Sequence, residues 1–443
     1  MDYFALLPPE ITQLIFDNLR PFDTAVRLPL SRSLVPFQQR RLFRRISITK
    51  LDRFEQICQA PQLQSSPLRY VESLFAQLLP WGPTDDHHRP LWKPTNSALA
   101  LFFGSLVQLR ALTVAGMEQA IRILLNPIFA ASSLPNLTSL SLNTSWTDFT
   151  DPFDPVHYAA IPHYANLRFF RLEDSRRPSR LLPSPNPSAS LDLPRITVRC
   201  LSLAGPLTTC EKSVQQLLAS FGDLETLCLT EASETSHLYN LLDGVENRAG
   251  LKQLVLDHSY DYNHRFHRSR LITPPPNGDL GPILLQFPCL SSLKLGSLCD
   301  ATSPSFYDAL RQVSLDHLAF GKGVELLLAN LTQLIANGGM QHKLKTITFD
   351  IVEGERGTRI EDVGRPYDDD EIDGWNVYPD WIEPRWTEDF AEADLVDLIK
   401  VAKREGIEVK GTAVEAIGII REIELEYEKL DENNHRREVI TGW

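Results

Sequence analysis

The sequence lacks the cysteine pairs that mark a disulfide framework or a zinc knuckle. Its six cysteines stand far apart, at positions 58, 200, 210, 228, 289 and 299, and no C-x-x-C pair occurs. This usage favours reduced thiols, so we expect the chain in the cytoplasm, the nucleus or both. No apolar run reaches the length of a membrane-spanning helix, and no basic region precedes Pro8 and Pro9 as a secretory signal would require. We therefore expect no membrane partner.

Catalytic signature motifs are also missing. The sequence contains no G-x-S-x-G, G-x-x-x-x-G-K-[ST], G-x-G-x-x-G or H-E-x-x-H pattern. His258, His264 and His267 follow no regular ligand spacing and stand among three arginines, which would repel a cation. We interpret that segment as a solvated loop. The sequence thus predicts no catalytic, cofactor-binding or metal-binding residues, no cofactor and no enzyme activity.

Positive charge is scarce in the last part of the chain. Residues 351–443 hold 12 Lys and Arg against 26 Asp and Glu, a net of −14, whereas the whole chain carries −13, so residues 1–350 stand at about +1. A nucleic-acid-binding protein more often has a basic surface, so we predict no nucleic-acid partner. The acidic segment 353–394, with three tryptophans, is typical of a solvated loop. Alternatively, its tryptophans pack on the last repeats or bind a basic partner.

A short apolar pattern, L-x-x-L-x-L, recurs nine times. Its copies begin at residues 109, 137, 167, 198, 224, 251, 290, 315 and 344, so consecutive copies are 25 to 39 residues apart. Residues 71–76 form a degenerate earlier copy. A pattern of this length and spacing is typical of leucine-rich repeats.

Each copy predicts a short strand whose two later apolar residues face inward while the residues between them face outward. The segments 118–131, 211–221, 236–242, 303–313 and 323–336 have the apolar spacing of helices. Each strand–helix pair buries its apolar side only when the next pair stacks on it. This predicts an α/β fold, a solenoid with a parallel sheet on its concave side. The asparagine or cysteine usual after the last leucine is missing, so we expect an irregular solenoid whose turns are satisfied by other groups.

The first fifty residues show a different pattern, that of three short helices separated by prolines. Pro8 and Pro9 precede the first helix, Pro21 ends it, and Pro36 opens the third. The opening L-P-P-E-I-T-Q-L-I-F-D-N-L, the spaced apolar residues of the second helix and the closing R-L-F-R-R-I-S-I resemble an F-box over residues 6–48. An F-box followed by leucine-rich repeats is similar to the F-box/LRR class of adaptors of cullin–RING ubiquitin ligases.

The resemblance implies two partners. The F-box would bind the Skp adaptor subunit, and through it a cullin–RING ligase, while the repeats would bind a substrate protein. The chain would then be a non-catalytic substrate-recognition adaptor of an SCF-type (Skp–cullin–F-box) ligase. The apolar residues that we expect at the Skp subunit are Leu7, Pro8, Ile11, Ile15, Leu19 and Leu30.

The predicted domains are an F-box-like helical domain at 1–50, a leucine-rich-repeat solenoid at 51–411 and a C-terminal capping helix at 412–443. Three segments interrupt the solenoid: a Pro/Ser-rich loop at 175–195, an insertion at 258–278 and the acidic segment 353–394. Most outward positions on the predicted strands carry small side chains. The larger exceptions, which we predict as substrate-binding candidates, are Phe169, Arg171, Glu173, Asp257 and Lys294.

Two other interpretations remain open. In the first, the chain is a leucine-rich-repeat interaction scaffold without ligase association, whose N-terminal helices only cap the array. In the second, it is an enzyme or ligand receptor that uses the longest repeat. Binding of the Skp subunit separates the adaptor from the scaffold. A bound metal or a deep polar pocket near His258 would favour the enzyme or receptor.

Overall fold

The computed structural model describes residues 39–40, 43–49, 54, 57, 67–77, 95–116, 118–145, 147, 149–174, 176, 195–231, 238–258, 279–296, 300–321, 324–340, 343–350, 352–353, 385–386 and 392–415. The chain divides into two compact units, Met1–Gly250 and Leu251–Trp443. Among these described residues, no helix is both long and apolar enough to cross a bilayer.

Within its described residues, the first unit contains a parallel sheet of seven strands that lie in chain order. The strands are β1 (Arg45–Ile48), β2 (Ser73–Gln77), β3 (Ala111–Ala115), β4 (Ser139–Asn143), β5 (Phe169–Glu173), β6 (Cys200–Gly205) and β7 (Thr226–Glu231). Alternate residues of each strand are buried, because successive side chains point to opposite faces. Leu112, Leu140, Phe170 and Leu201 lie side by side on successive strands and are almost fully buried. Burying each such side chain contributes about 1.5–3 kcal/mol.

In the described residues, α-helices lie in three of the six connections between these strands and after β7. They are α1 (Asn96–Gly104), α2 (Glu118–Leu124), α3 (Pro127–Ser132), α4 (Glu211–Ala219) and α5 (Leu238–Leu241). Short 3-10 turns at Pro67–Tyr70, Pro155–Tyr158, Ile161–His163, Leu207–Cys210, Leu242–Gly244 and Arg248–Gly250 complete the connections. The single helix expected at 118–131 is divided in two. Asn126 ends the first part and caps the second, since its Oδ1 accepts the N–H groups of Ile128 at 2.9 Å and Phe129 at 3.3 Å.

The second unit repeats the same arrangement. Its strands are β8 (Gln253–His258), β9 (Ser292–Leu295), β10 (Asp300–Ala301), β11 (His317–Gly321), β12 (Glu325–Leu326), β13 (Thr346–Asp350), β14 (Val352–Glu353), β15 (Arg385–Trp386) and β16 (Glu408–Lys410). Its helices are α6 (Leu280–Leu284), α7 (Pro304–Gln312), α8 (Leu328–Ala336) and α9 (Glu392–Arg404). Strands β8, β9, β11, β13 and β16 form a parallel sheet in that order, and β10 pairs in parallel with β12.

Strands β14 and β15 stand at the two ends of the acidic segment. They pair antiparallel, with Val352 opposite Trp386 and Glu353 opposite Arg385. This pairing brings residues 352–353 and 385–386 side by side.

Asparagines placed before the strands close turns between the repeats of the first unit. The side-chain amide of Asn136 donates to the carbonyl of Val107 at 2.9 Å, and that of Asn166 donates to the carbonyl of Pro135 at 2.7 Å. Both directly precede the first leucine of their copy. These amide bonds lie in front of the strands, whereas the side-chain ladder that the sequence lacks would follow them.

The structure confirms the predicted α/β fold class: each unit is a solenoid-like arrangement of strands and helices built on a parallel sheet. It differs from the sequence prediction in detail. The helix expected at 323–336 begins only at Leu328, because residues 325–326 pair with β10. The sheet also begins at Arg45, within the range assigned to the F-box-like domain, since β1 pairs with β2. Residues 412–415 are helical, as expected for a capping helix, whose remainder lies outside the described residues. The domain boundaries stay predictions.

Candidate functional site

Three rows of side chains cross the solvent-facing side of the first unit's sheet, each with one residue per strand. The rows are Arg45, Ser73, Ala111, Ser139, Phe169, Cys200 and Thr226; Ser47, Phe75, Thr113, Ser141, Arg171, Ser202 and Cys228; and Gln77, Ala115, Asn143, Glu173, Ala204 and Thr230. Most of these side chains are small. A partner can therefore approach the sheet closely between the few large ones.

Two phenylalanines stand out from this surface. Phe169 on β5 is 36% exposed and Phe75 on β2 is 39% exposed. Aromatic side chains in the centre of an otherwise polar surface are typical of protein-binding sites, because their burial supplies most of the binding free energy there. Phe169 was predicted from the sequence, whereas Phe75 was not. The sequence pattern does place Phe75 on the outward face, because it lies between the two inward residues of the degenerate copy at residues 71–76.

Arg171 and Glu173 form a small polar network beside Phe169. The Arg171 guanidinium contacts Glu173 Oε2 at 3.0 Å, and the Asn143 amide donates to Glu173 Oε1 at 3.3 Å. The pair is solvent-exposed, so it contributes little to stability. The structure thus brings together the three residues predicted on β5.

The other two predicted residues lie on neighbouring strands of the second unit. The Asp257 carboxylate at the end of β8 lies against the Cα of Gly296, where any side chain would overlap with it. Lys294 on β9 lies between Val255 and Ala319 in the sheet register. The role of all five residues in substrate binding stays a prediction.

A further row, which the sequence analysis missed, lies directly in front of the first unit's strands. It contains Arg44, Glu72, Arg110, Thr138, Arg168, Arg199 and Glu225. The backbone carbonyl of each residue in this row accepts hydrogen bonds from the next residue of the row and from the residue that follows it. For example, the Arg168 carbonyl accepts from the N–H of Arg199 at 3.0 Å and from that of Cys200 at 2.9 Å. The signal was again in the pattern, because each of these residues from Arg110 onward follows the first apolar residue of its copy.

A buried polar cluster lies past the other end of the strands. Asp174, which follows β5, is fully buried, and the Arg176 guanidinium contacts its carboxylate at 2.6 Å. Arg176 Nη1 also donates to the carbonyls of Phe149 at 2.7 Å and Thr147 at 3.3 Å, and the Thr144 hydroxyl donates to Asp174 at 3.1 Å. These bonds join the turns after β4 and β5.

The same cluster extends to Asp151. This buried carboxylate accepts hydrogen bonds from the N–H of Phe153 and the hydroxyl of Ser213, and Cys210 lies beside it. Burial raises the pKa of the Cys210 thiol and of the Tyr158 hydroxyl well above their ordinary values, and nearby carboxylates raise both further. Both groups therefore stay protonated at neutral pH. We interpret the cluster as a structural support of the turns, since Asp174 is paired with Arg176 and Asp151 accepts hydrogen bonds from Phe153 and Ser213.

Several predicted residues cannot be placed. The six expected at the Skp subunit and the side chains of the histidine-bearing insertion lie outside the described residues. Within the part of the chain that the structure describes, no three or more His, Cys, Asp or Glu side chains are grouped as a metal site would require.

Comparisons with known proteins give similarities of fold only. No model of a protein family matches the chain, and no curated protein matches it either. Among solved structures, the yeast complex of Rad7 and Elc1 is similar to it with a TM-score of 0.37 and 16% identity, over 77% of this chain and 75% of that chain. The leucine-rich-repeat-containing protein LegL7 of Legionella pneumophila is similar with a TM-score of 0.36 and 14% identity, over 82% of this chain and 89% of that one. At these low scores neither similarity establishes a function.

Proposed function

We propose that this chain is a non-catalytic substrate-recognition adaptor of an SCF-type ubiquitin ligase. Its repeats bind the substrate protein, and its N-terminal segment binds the Skp subunit. The observation that carries the substrate-binding part is the open sheet face of the first unit, where small side chains surround the exposed Phe75 and Phe169. The ligase part rests on the resemblance of residues 6–48 to an F-box.

The sheet face suits a protein ligand better than a small molecule. Its rows run across seven described strands, a width of about 29 Å at the usual spacing of neighbouring strands. Small molecules are instead held in concave pockets that bury most of their surface. Exposed aromatic rings on a broad face are typical anchors for a protein surface.

The ligase association is tested by replacing Leu7 and Pro8 together with alanine. We expect loss of the Skp subunit from pull-downs of the full-length protein, since removal of an apolar anchor typically costs about 2–4 kcal/mol of binding free energy. Phe169→Ala is the matched control, because it changes the sheet face and should leave Skp binding intact. Undiminished recovery of the Skp subunit with the Leu7 and Pro8 double variant would contradict the proposal.

One observation favours the scaffold without ligase association. The last residues that resemble the F-box, Arg45–Ile48, form strand β1 and pair with β2. A segment joined to the sheet in this way can serve as the cap of the repeat array. If wild-type protein recovers no Skp subunit while Phe169→Ala still loses a bound protein, the scaffold is the correct function.

A further inference from the structure

The row in front of the first unit's strands carries an excess of positive charge in its centre. Arg110, Arg168 and Arg199 are exposed, and they directly precede strands β3, β5 and β6. Between Arg110 and Arg168 stands Thr138, whose hydroxyl donates to the carbonyl of Arg110 at 3.0 Å. No carboxylate of the row lies between these three arginines.

Other charged side chains that stand directly before strands, in either unit, form ion pairs. Arg44 contacts Glu72 at 2.9 Å, and in the second unit Lys345 contacts Asp316 at 3.2 Å at the corresponding place before β13 and β11. Arg199 contacts Glu225 at 3.4 Å on its outer side. Among the described residues, neither the Arg110 nor the Arg168 guanidinium forms an ion pair or a side-chain hydrogen bond. The alternation of charge is therefore interrupted at these two residues.

In the free protein, two of these arginine side chains repel each other. Arg168 and Arg199 stand directly opposite each other on neighbouring strands, about 4.8 Å apart at the backbone, where like charges repel. A ligand that brings negative charge to this edge relieves the repulsion and pairs with guanidinium groups whose geometry suits carboxylates. Charge complementarity thus indicates the sign of the ligand.

The arginines adjoin the exposed aromatic ring of the sheet face. Phe169 directly follows Arg168, and Cys200, which follows Arg199, stands beside Phe169 in the register. One ligand can therefore contact the arginines with negative groups and the Phe169 ring with an apolar group.

We infer that Arg110, Arg168, Arg199 and Phe169 bind an acidic segment of a partner protein, one that contains at least one apolar residue. This inference rests on the proposed substrate-binding role of the sheet face and names the class of substrate. The three arginines span about 14 Å across four strands, and alternate residues of an extended peptide are about 6.7 Å apart. An extended segment of about five residues covers this span.

A protein segment fits better than a nucleic acid. The arginine edge holds three cations over about 14 Å, few compared with the charge of a nucleic-acid backbone. Binding of nucleic acid is nevertheless one outcome that the test must separate.

The test is selection of a displayed library of random 12-residue peptides on full-length protein. We expect enrichment of peptides with several Asp or Glu residues and at least one apolar residue. With the double variant Arg168→Gln and Arg199→Gln, a peptide enriched on the wild type should bind about tenfold more weakly at low salt. The matched control is Arg311→Gln on α7, which removes an exposed arginine that contacts Asp308 at 2.7 Å in the second unit.

Three results would overturn the inference. They are enrichment without acidic residues, equal binding by the double variant, and tighter binding of a single-stranded 12-mer oligonucleotide that the same variant loses. Thermal unfolding of each variant shows whether it is folded, and salt dependence of wild-type binding gives a second readout without substitution, since binding of an acidic peptide must weaken as salt rises.

Recovery of the Skp subunit, measured on the same variants, keeps this inference separate from the ligase proposal. Loss of acidic-peptide binding with Skp recovery unchanged supports the arginine edge alone. Acidic-peptide binding in a protein that never recovers the Skp subunit supports the edge and contradicts the ligase proposal.

Discussion

At the two ends of the strands in the first unit, arginine side chains differ in burial and in pairing. Past the carboxyl ends, Arg176 is 16% exposed and is bound by the fully buried Asp174 and by two carbonyls. In front of the amino ends, Arg110 and Arg168 are exposed, and no side-chain partner of either is seen among the described residues. The same residue type thus joins turns at one end and faces solvent at the other.

The difference separates stability from binding within one sheet. A buried charge must be paired, because an unpaired one costs several kcal/mol, so Arg176 and Asp174 are constrained by folding. An exposed arginine carries no such cost and can be changed freely as far as the fold is concerned. We therefore expect substitutions at the carboxyl ends to affect the free energy of unfolding and those at the amino ends to affect binding.

The largest effect on stability is expected for Asp174→Ala. The change leaves the Arg176 guanidinium buried without its carboxylate, which should lower the free energy of unfolding by about 3–5 kcal/mol. Urea unfolding of the full-length protein measures it. The double variant Arg168→Gln and Arg199→Gln is the comparison and should unfold like the wild type. Equal unfolding of Asp174→Ala and wild type would show that the buried pair does not hold the turns.

A smaller effect that depends on pH is expected at His157, beside the buried cluster. Its ring stacks on Phe149 with centroids 4.1 Å apart, and burial lowers its pKa below the ordinary value of 6.5, against the opposing effect of Asp154 and Asp151. The unfolded chain then binds more protons than the folded one just below that value. The stability that the neutral ring provides is complete above pH 6.5 and is lost as the pH falls from there toward the lowered pKa.

The substitution that tests this is His157→Phe, which keeps an aromatic ring on Phe149. The loss of unfolding free energy between about pH 7.5 and pH 5.5 should be smaller in the variant than in the wild type. Urea unfolding at the two pH values measures it, with substitution of the exposed His163 by Phe as the control. An unchanged pH dependence in His157→Phe would contradict the assignment.

The smallest effect on stability is expected for Arg171→Gln, on the sheet face between the two ends. The exposed pair with Glu173 contributes less than about 1 kcal/mol, so unfolding should be nearly unchanged. If Arg171 contacts the substrate, recovery of the substrate protein falls while stability stays constant. A large loss of stability would place this pair with the buried cluster instead.

The repeat pattern was sufficient to predict strands β2, β3, β4, β5, β6, β7, β8, β9, β11 and β13. Leu140 and Leu142 of β4 face inward as the L-x-L spacing requires, and Phe169, Arg171 and Glu173 share one face of β5 for the same reason. The sequence did not predict that Asn126 divides a helix, nor that residues 325–326 pair with β10. The division depends on a helix cap, and the strand pairing depends on a contact between two segments that connect neighbouring strands. Neither feature changes the spacing of the apolar residues.

The sequence by itself determined the period, the inward residues and hence the α/β solenoid, because burial of alternate apolar residues is a local property that repeats along the chain. Only the tertiary structure decided which charges meet. Arg110, Arg168 and Arg199 are separated by about 30 residues or more, and their common edge exists because the strand register brings them together. Asp151, after β4, and Ser213, after β6, are in contact because the repeats stack on one another. Charge pairing depends on the register between strands, which single-chain patterns do not contain.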